Sequence, residues 1–251
     1  MHFLLIRFHH HENLGIVPEI LVENGLRWTT VDGDGVLPHD ISHIDAVIIY
    51  GGVQNVWQED KYPWLPALKR YLADIIAAHS IPVLGICLGH QLIAEAAGGA
   101  CHKMPKDEIG MHPVTALPAA ADDPLLKDFI SGTAVLQWHG AEVCKLPEQA
   151  TLLAQNDTCD VQAMRVGSRV WGLQFHIEGT LTTVPTWGST KVAVDEMEQN
   201  MGEDGYWIFR NSSLELMPAQ MIEARKIFQN FIDIAEEIKM DNAVTKIAAQ
   251  S

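Results

Sequence analysis

Apolar residues recur along this chain in two rhythms. Short apolar, partly β-branched runs read as strands buried on both faces, and runs with apolar positions three and four residues apart read as helices. In order, the first half predicts a strand over Met1 to Arg7, a helix over Ile16 to Asn24 and a strand over Arg27 to Val31. A turn at Asp32-Gly33-Asp34-Gly35 and a strand over Ala46 to Tyr50 follow. An amphipathic helix over Pro63 to Ala78 turns Trp64, Leu65, Leu68, Tyr71, Leu72 and Ile75 inward. It leads into a strand over Pro82 to Ile86 and a helix over Leu88 to Ala97. This alternation predicts an α/β domain, three layers thick, with a largely parallel central sheet.

The second half changes character. Ala100 to Val114, Thr133 to Trp138 and Thr151 to Gln155 read as strands without long helices between them, which predicts a mixed sheet edge. Val170 and Trp171 open a strand expected to continue through Gly172-Leu173-Gln174-Phe175-His176-Ile177-Glu178. The segment 179–213 mixes Thr, Gly, Pro and acidic residues. It reads either as a lid or partner-docking loop or as a disordered surface insertion. Leu214 to Ala249 closes the chain as a helix whose stripe, including Ile227, Phe228, Phe231 and Ile238, packs on the sheet or leaves its last turns for a partner.

The length, 251 residues, suits one domain over 1–251 with a substantial core. With 17 basic against 32 acidic residues the formal net charge is -15, which repels phosphate backbones and removes nucleic acid as a partner. The apolar start meets histidines and charge too soon for a signal peptide. No uncharged apolar run is long enough to span a membrane. Cys87, Cys101, Cys144 and Cys159 show no Cys-x-x-Cys pair, so neither a disulfide framework nor a thiolate zinc site is expected, and the reducing cytoplasm suits them. His9-His10-His11 invites a metal reading, but consecutive loop residues rarely converge on one ion, so no metal is expected. The loop after a first strand opens at the carboxyl edge of such a sheet, where one of these histidines could line a substrate site.

The chemistry concentrates in Gly85-Ile86-Cys87-Leu88-Gly89, where a buried strand turns abruptly into a helix. Such a turn strains its central residue and needs neighbours without a Cβ, the geometry of a nucleophile elbow with a thiol in place of a hydroxyl. Cys87 would then be held out at the sheet edge, and the helix start would favour thiolate there. The Leu88 amide becomes an oxyanion donor. The alternative is a buried structural cysteine in a glycine-rich turn. Alternation along the strand predicted near 176 places His176 and Glu178 on one side, base and orienter for a thiol, or else a solvated strand end. Val47 to Tyr50 runs into Gly51-Gly52, where bare backbone can approach a ligand or make an ordinary glycine turn.

ICLGHQ together with GLQFHIE, in this order, resembles the Cys-x-Gly-x-Gln elbow and His-Pro-Glu strand end of the class I glutamine amidotransferase family. Glu108 to Val114 with Gln137-Trp138-His139-Gly140 is similar to its stand-alone branch related to the glutaminase domain of GMP synthase. The resemblance implies a flavodoxin-like αβα fold, no cofactor, and a catalytic set of Cys87, His176 and Glu178. It further implies an oxyanion hole from Gly52 and Leu88. Substrate contacts fall on Gly51, Gln91, His139 and Gly140, with His139 open to a purely structural role. Val53 and Ile177 stand where the family often has proline, and Ala141 where it tends to have aspartate. The implied activity is hydrolysis of the glutamine side-chain amide through a γ-glutamyl thioester. Ammonia would pass to a separate synthetase subunit or another acceptor. A stand-alone γ-glutamyl hydrolase with the same triad, and a non-catalytic regulatory subunit, are the alternatives.

Overall fold

The computed structural model describes residues 1–8 and 14–248, with side chains through 245. The reading of His9-His10-His11 lies outside the described residues. The chain begins with strand β1 (His2–Arg7), helix α1 (Val17–Glu23), strands β2 (Arg27–Asp32) and β3 (Ala46–Ile49), helix α2 (Leu65–Ala78) and strand β4 (Val83–Ile86). Helix α3 (Leu88–Ala96) follows β4 directly. After it come β5 (Ala100–Pro113), β6 (Thr115–Ala116), β7 (Ala134–Lys145), β8 (Ala150–Gln155), β9 (Ala163–Val166) and β10 (Val170–Leu173). The main sheet has eight strands in the order β2-β1-β3-β4-β10-β9-β8-β6. Its first five are parallel neighbours, and the pairs beyond β10 are antiparallel.

Period-two alternation divides the apolar strands between two cores. Phe3 and Leu5 face one side with Ile48, Leu84, Trp171 and Leu173, and α1 and the chain's last helix cover them. Leu4 and Ile6 face the other with Val47, Ile49, Val83 and Val170, under α2 and α3. Both faces are therefore apolar and both need helices, which is the physical content of the three layers. In α2 the residues turned inward and buried are Leu65, Leu68, Leu72 and Ile75, at the spacing the sequence predicts. Among the described residues no helix is long and apolar enough to cross a membrane.

Three expectations are corrected. The strands expected as a sheet edge at Ala100–Val114 and Thr133–Trp138 instead pair with each other as a separate two-stranded ribbon, β5-β7. The antiparallel edge of the main sheet is built by β8, at the expected Thr151–Gln155 position, together with β9 and the two-residue β6, which the apolar pattern of the sequence does not single out. The strand expected to run through Glu178 stops at Leu173. There the Gln174 N–H donates to the Gln162 carbonyl at 2.8 Å and the His176 N–H to the Leu136 carbonyl at 2.8 Å, so the chain leaves the sheet for β7.

The third correction is the segment 179–213, which is mostly helical. It holds α4 (Thr183–Trp187), α5 (Lys191–Met201) and the beginning of α6 (Gly205–Ala248), a helix expected to start only at Leu214. The Thr190 hydroxyl caps α5 by accepting from the Ala193 N–H at 3.3 Å, and Gly202 ends it with φ 96°. Phe209 and Met217, from the first half of α6, are buried with Ile109, Leu136, Val184 and Met197 in a third cluster over the ribbon. Residues from Ala224 to Ile238 cover the main sheet. One helix thus ties this cap to the core.

Candidate active site

Cys87 sits between β4 and α3 with φ 51° and ψ −106°. Among the described residues only His79 shares a positive φ outside glycine. That conformation is strained for a side chain with a Cβ and is held by its surroundings. The Cys87 N–H donates to the Leu173 carbonyl at 2.8 Å, the Gly89 N–H to the Tyr50 carbonyl at 3.1 Å, and the Gln91 N–H to the Cys87 carbonyl at 3.1 Å. A Cβ on Gly85 would collide with the Gly89 carbonyl, and one on Gly89 with the Ile49 carbonyl. The two glycines are thus required by close backbone approach.

The turn after β10 brings His176 and Glu178 to this elbow. His176 Nδ1 lies 2.8 Å from Glu178 Oε1, and both residues are 7% exposed, against 5% for Cys87. A Cβ on Gly51 would fall 2.7 Å from His176 Cε1 and 3.4 Å from Cys87 Cβ, so Gly51 adjoins both. Burial alone pushes the His176 imidazole down. The charge of Glu178, then that of Cys87, outweighs it, and the ring titrates well above the ordinary histidine value of 6.5. The Leu88 and Gly52 N–H groups donate to no backbone acceptor among the described residues. This arrangement suits nucleophilic attack by a thiol, with a proton exchanged at the imidazole.

The remaining predicted contacts are engaged elsewhere. Gln91 is buried, and its Nε2 donates to the Ala141 carbonyl at 3.0 Å and to Gln174 Oε1 at 3.1 Å. His139 turns its Nε2 to Glu108 Oε2 at 2.9 Å and its Nδ1 to the Ala141 carbonyl at 3.0 Å. Both ring nitrogens of His139 are therefore engaged within the protein. Glu108 also accepts from Asn156 at 2.6 Å and from Gln162 at 2.9 Å. Burial would raise the Glu108 carboxyl, but His139 and Asn156 outweigh it and hold it below its ordinary value. Gly140 leaves room for the Asp107 side chain, with which a Cβ would collide. Burial, and then the neighbouring His139, push His90 down to about 3, so it stays neutral beside the elbow. Among the described residues no group of three or more His, Cys, Asp or Glu is arranged to hold a metal ion.

Several further residues surround the thiol, the base and the carboxylate. The Trp138 carbonyl lies 3.9 Å from Cys87 Sγ. The Trp187 ring stands edge-on to His176 at 5.1 Å between centroids. Gln220, from α6, bridges the turn to the ribbon: its Oε1 accepts from the Leu136 N–H at 2.6 Å and its Nε2 donates to the His176 carbonyl at 2.8 Å. The Tyr50 hydroxyl donates to the Leu14 carbonyl at 3.3 Å, and burial with the charge of Glu178 raises its pKa. Trp138 lies within the Gln137-Trp138-His139-Gly140 stretch, which is the signal that pointed to its neighbourhood. Trp187 and Gln220 had none.

The chain as a whole is similar to several known proteins. The pattern described as Glutamine amidotransferase class-I matches residues 17–187. The putative glutamine amidotransferase-like protein YfeJ of Salmonella typhimurium is 34% identical over 162 residues, covering 63% of this chain and 67% of that protein. One of the subunits of the glutamine-hydrolysing GMP synthase of Sulfolobus acidocaldarius is 30% identical over 164 residues, covering 63% of this chain and 82% of that protein. The crystal structure of a glutamine amidotransferase from Thermotoga maritima superposes with a TM-score of 0.80 at 26% identity, covering 92% of this chain and 98% of that one.

Proposed function

Because the chain belongs to the class I glutamine amidotransferase family, we propose that it is a glutaminase working through Cys87, His176 and Glu178. The observation that carries this reading is the strained Cys87 elbow facing an imidazole that Glu178 holds at 2.8 Å. The Cys87 thiolate attacks the side-chain amide carbon of glutamine, forming a C–S bond and a tetrahedral oxyanion. The Gly52 and Leu88 N–H groups receive that oxyanion, at about 3 kcal/mol per donor in comparable sites. The C–N bond breaks as His176 gives its proton to the departing ammonia, leaving a γ-glutamyl thioester. His176 then takes a proton from water, the hydroxide attacks the thioester, and Cys87 and glutamate are released. Glu178 orients the ring and stabilises its protonated form throughout.

The acceptor of the ammonia is proposed to be a separate synthetase chain. The similarity to a protein named as one component of a glutamine-hydrolysing synthase supports this. The test is to incubate the purified chain alone with glutamine and with N-substituted γ-glutamyl amides, measuring ammonia and amine, with Cys87→Ala as control. Cys87-dependent ammonia release from glutamine supports the glutaminase, and slow turnover that a synthetase accelerates supports the partner. Preference for the substituted amides would make the chain a stand-alone γ-glutamyl hydrolase. Absence of any Cys87-dependent turnover, with the thiol also inert to a glutamine-like electrophile, would sink the enzymatic reading.

A further inference from the structure

One indole stands against the base, and a second indole backs it. Trp187, at the end of α4, meets the His176 ring edge-on at 5.1 Å and the Trp138 ring edge-on at 5.2 Å. Trp138 brings its carbonyl to 3.9 Å from Cys87 Sγ. Trp138 is braced from behind, its Nε1 donating to Glu196 Oε1 on α5 at 3.1 Å and its ring meeting Phe209 of α6 at 6.3 Å. On the other side of Trp187, Val184 is fully buried in the third cluster, and Gly188 admits the Tyr206 ring where a Cβ would collide. The pair is therefore a wall fixed by packing. With Cys87, His176 and Glu178 only 5%, 7% and 7% exposed, little open space remains above them.

In thiol-mediated amide cleavage the base returns its proton to the departing nitrogen, so the leaving group must stand against His176. Ammonia is one heavy atom, whereas an aryl or alkyl amine extends outward from that same nitrogen. The bond changes are identical for both: C–S forms, C–N breaks, and the His176 proton passes to nitrogen. Only the room at the imidazole differs. We propose that Trp187, backed by Trp138, is the specificity-determining residue that limits the leaving group to ammonia, selecting a primary side-chain amide over N-substituted γ-glutamyl amides. This rests on the glutaminase reading and names what sets its substrate class.

The experiment compares kcat/KM for γ-glutamyl-p-nitroanilide and for glutamine in wild type, Trp187→Phe and Trp187→Ala, with thermal unfolding to verify that each is folded. The anilide-to-glutamine ratio rises about tenfold or more in Trp187→Ala, the scale on which apolar pockets discriminate, and takes an intermediate value in Trp187→Phe. An unchanged ratio overturns the proposal, as does a falling one, which would mean that the indole holds the leaving group instead of excluding it. Should Trp187→Ala fail to fold, the Trp187→Phe ratio decides on the same terms. A second readout is independent of turnover: alkylation of Cys87 by iodoacetamide and by N-phenyl iodoacetamide, followed by peptide mass spectrometry. Trp187→Ala raises the relative rate of the bulky reagent, and equal ratios in variant and wild type overturn the wall. Failure of the glutaminase reading looks different and is seen in wild type alone, which would then turn over neither substrate or would prefer the anilide to glutamine, whereas failure of the wall leaves wild type preferring glutamine with a ratio that Trp187→Ala does not raise.

Discussion

His176 Nδ1 and Glu178 Oε1 meet at 2.8 Å on a turn that has already left the sheet, since β10 ends at Leu173. The pair is thus held by contacts with β7 and α6 in place of a strand ladder. Its electrostatic consequence is a ring that stays protonated above the ordinary histidine value of 6.5.

Replacing Glu178 tests that coupling. Burial disfavours the charged ring and Glu178 is the leading opposing influence, so Glu178→Gln moves the His176 titration down, toward or below 6.5, as followed by ring-proton NMR. A raised folded-state pKa contributes stability that is fully present below the unfolded value and is lost as pH rises through the folded one. Wild type therefore loses stability with rising pH in the window above 6.5. Urea midpoints of Glu178→Gln should depend less on pH there.

Gly89→Ala separates backbone crowding from helix propensity. At an exposed helix position this change would stabilise by about 1 kcal/mol. Here the added methyl falls against the Ile49 carbonyl and 3.0 Å from Ile49 Cβ. The expected outcome is reversed in sign, a loss of about 1–3 kcal/mol, read from the denaturant midpoint.

The Glu108–His139 pair is buried on both sides, with side chains 2% and 1% exposed. His139→Ala removes one hydrogen-bond partner from a buried carboxylate and should cost about 1–3 kcal/mol. The lowered Glu108 pKa contributes stability that is present above its ordinary value of 4.5 and is lost as pH falls through the depressed one. The variant should lose part of this acid dependence below 4.5, a difference visible in acid-unfolding curves.

Gln220→Leu strips the Leu136 N–H of its acceptor and one donor from the His176 carbonyl. A buried amide left unpaired costs about 1–3 kcal/mol. Because Gln220 holds the turn that carries His176 and bonds only to backbone there, kcat for glutamine should fall while KM changes little. Equal kcat in variant and wild type would remove Gln220 from the positioning of the ring.

The elbow, the parallel strands and α2 were readable because their signals are local. Gly85 and Gly89 bracket Cys87 within one turn, and Phe3 to Ile6 announce two buried faces by their own alternation. The cap was only half readable. Thr190 and Gly202 are ordinary boundary signals for α5, whereas α4 is five residues long, with Pro185 inside it and no side-chain cap to mark its start. The apolar residues of β5 and β7 fit a sheet edge or a free ribbon equally well, and local pattern does not choose between them.

The order of strands and helices, the three layers and the sharp turn at Cys87 are written in the residues themselves, because each depends on sterics and periodicity over a few positions. Where His176, Trp138 and Trp187 stand relative to the thiol is settled by packing alone. Those positions hang on contacts such as Gln220 to His176 across 44 residues and Trp138 to Glu196 across 58. Such pairings form when whole elements pack, and neither partner carries a mark of the other in its own neighbourhood.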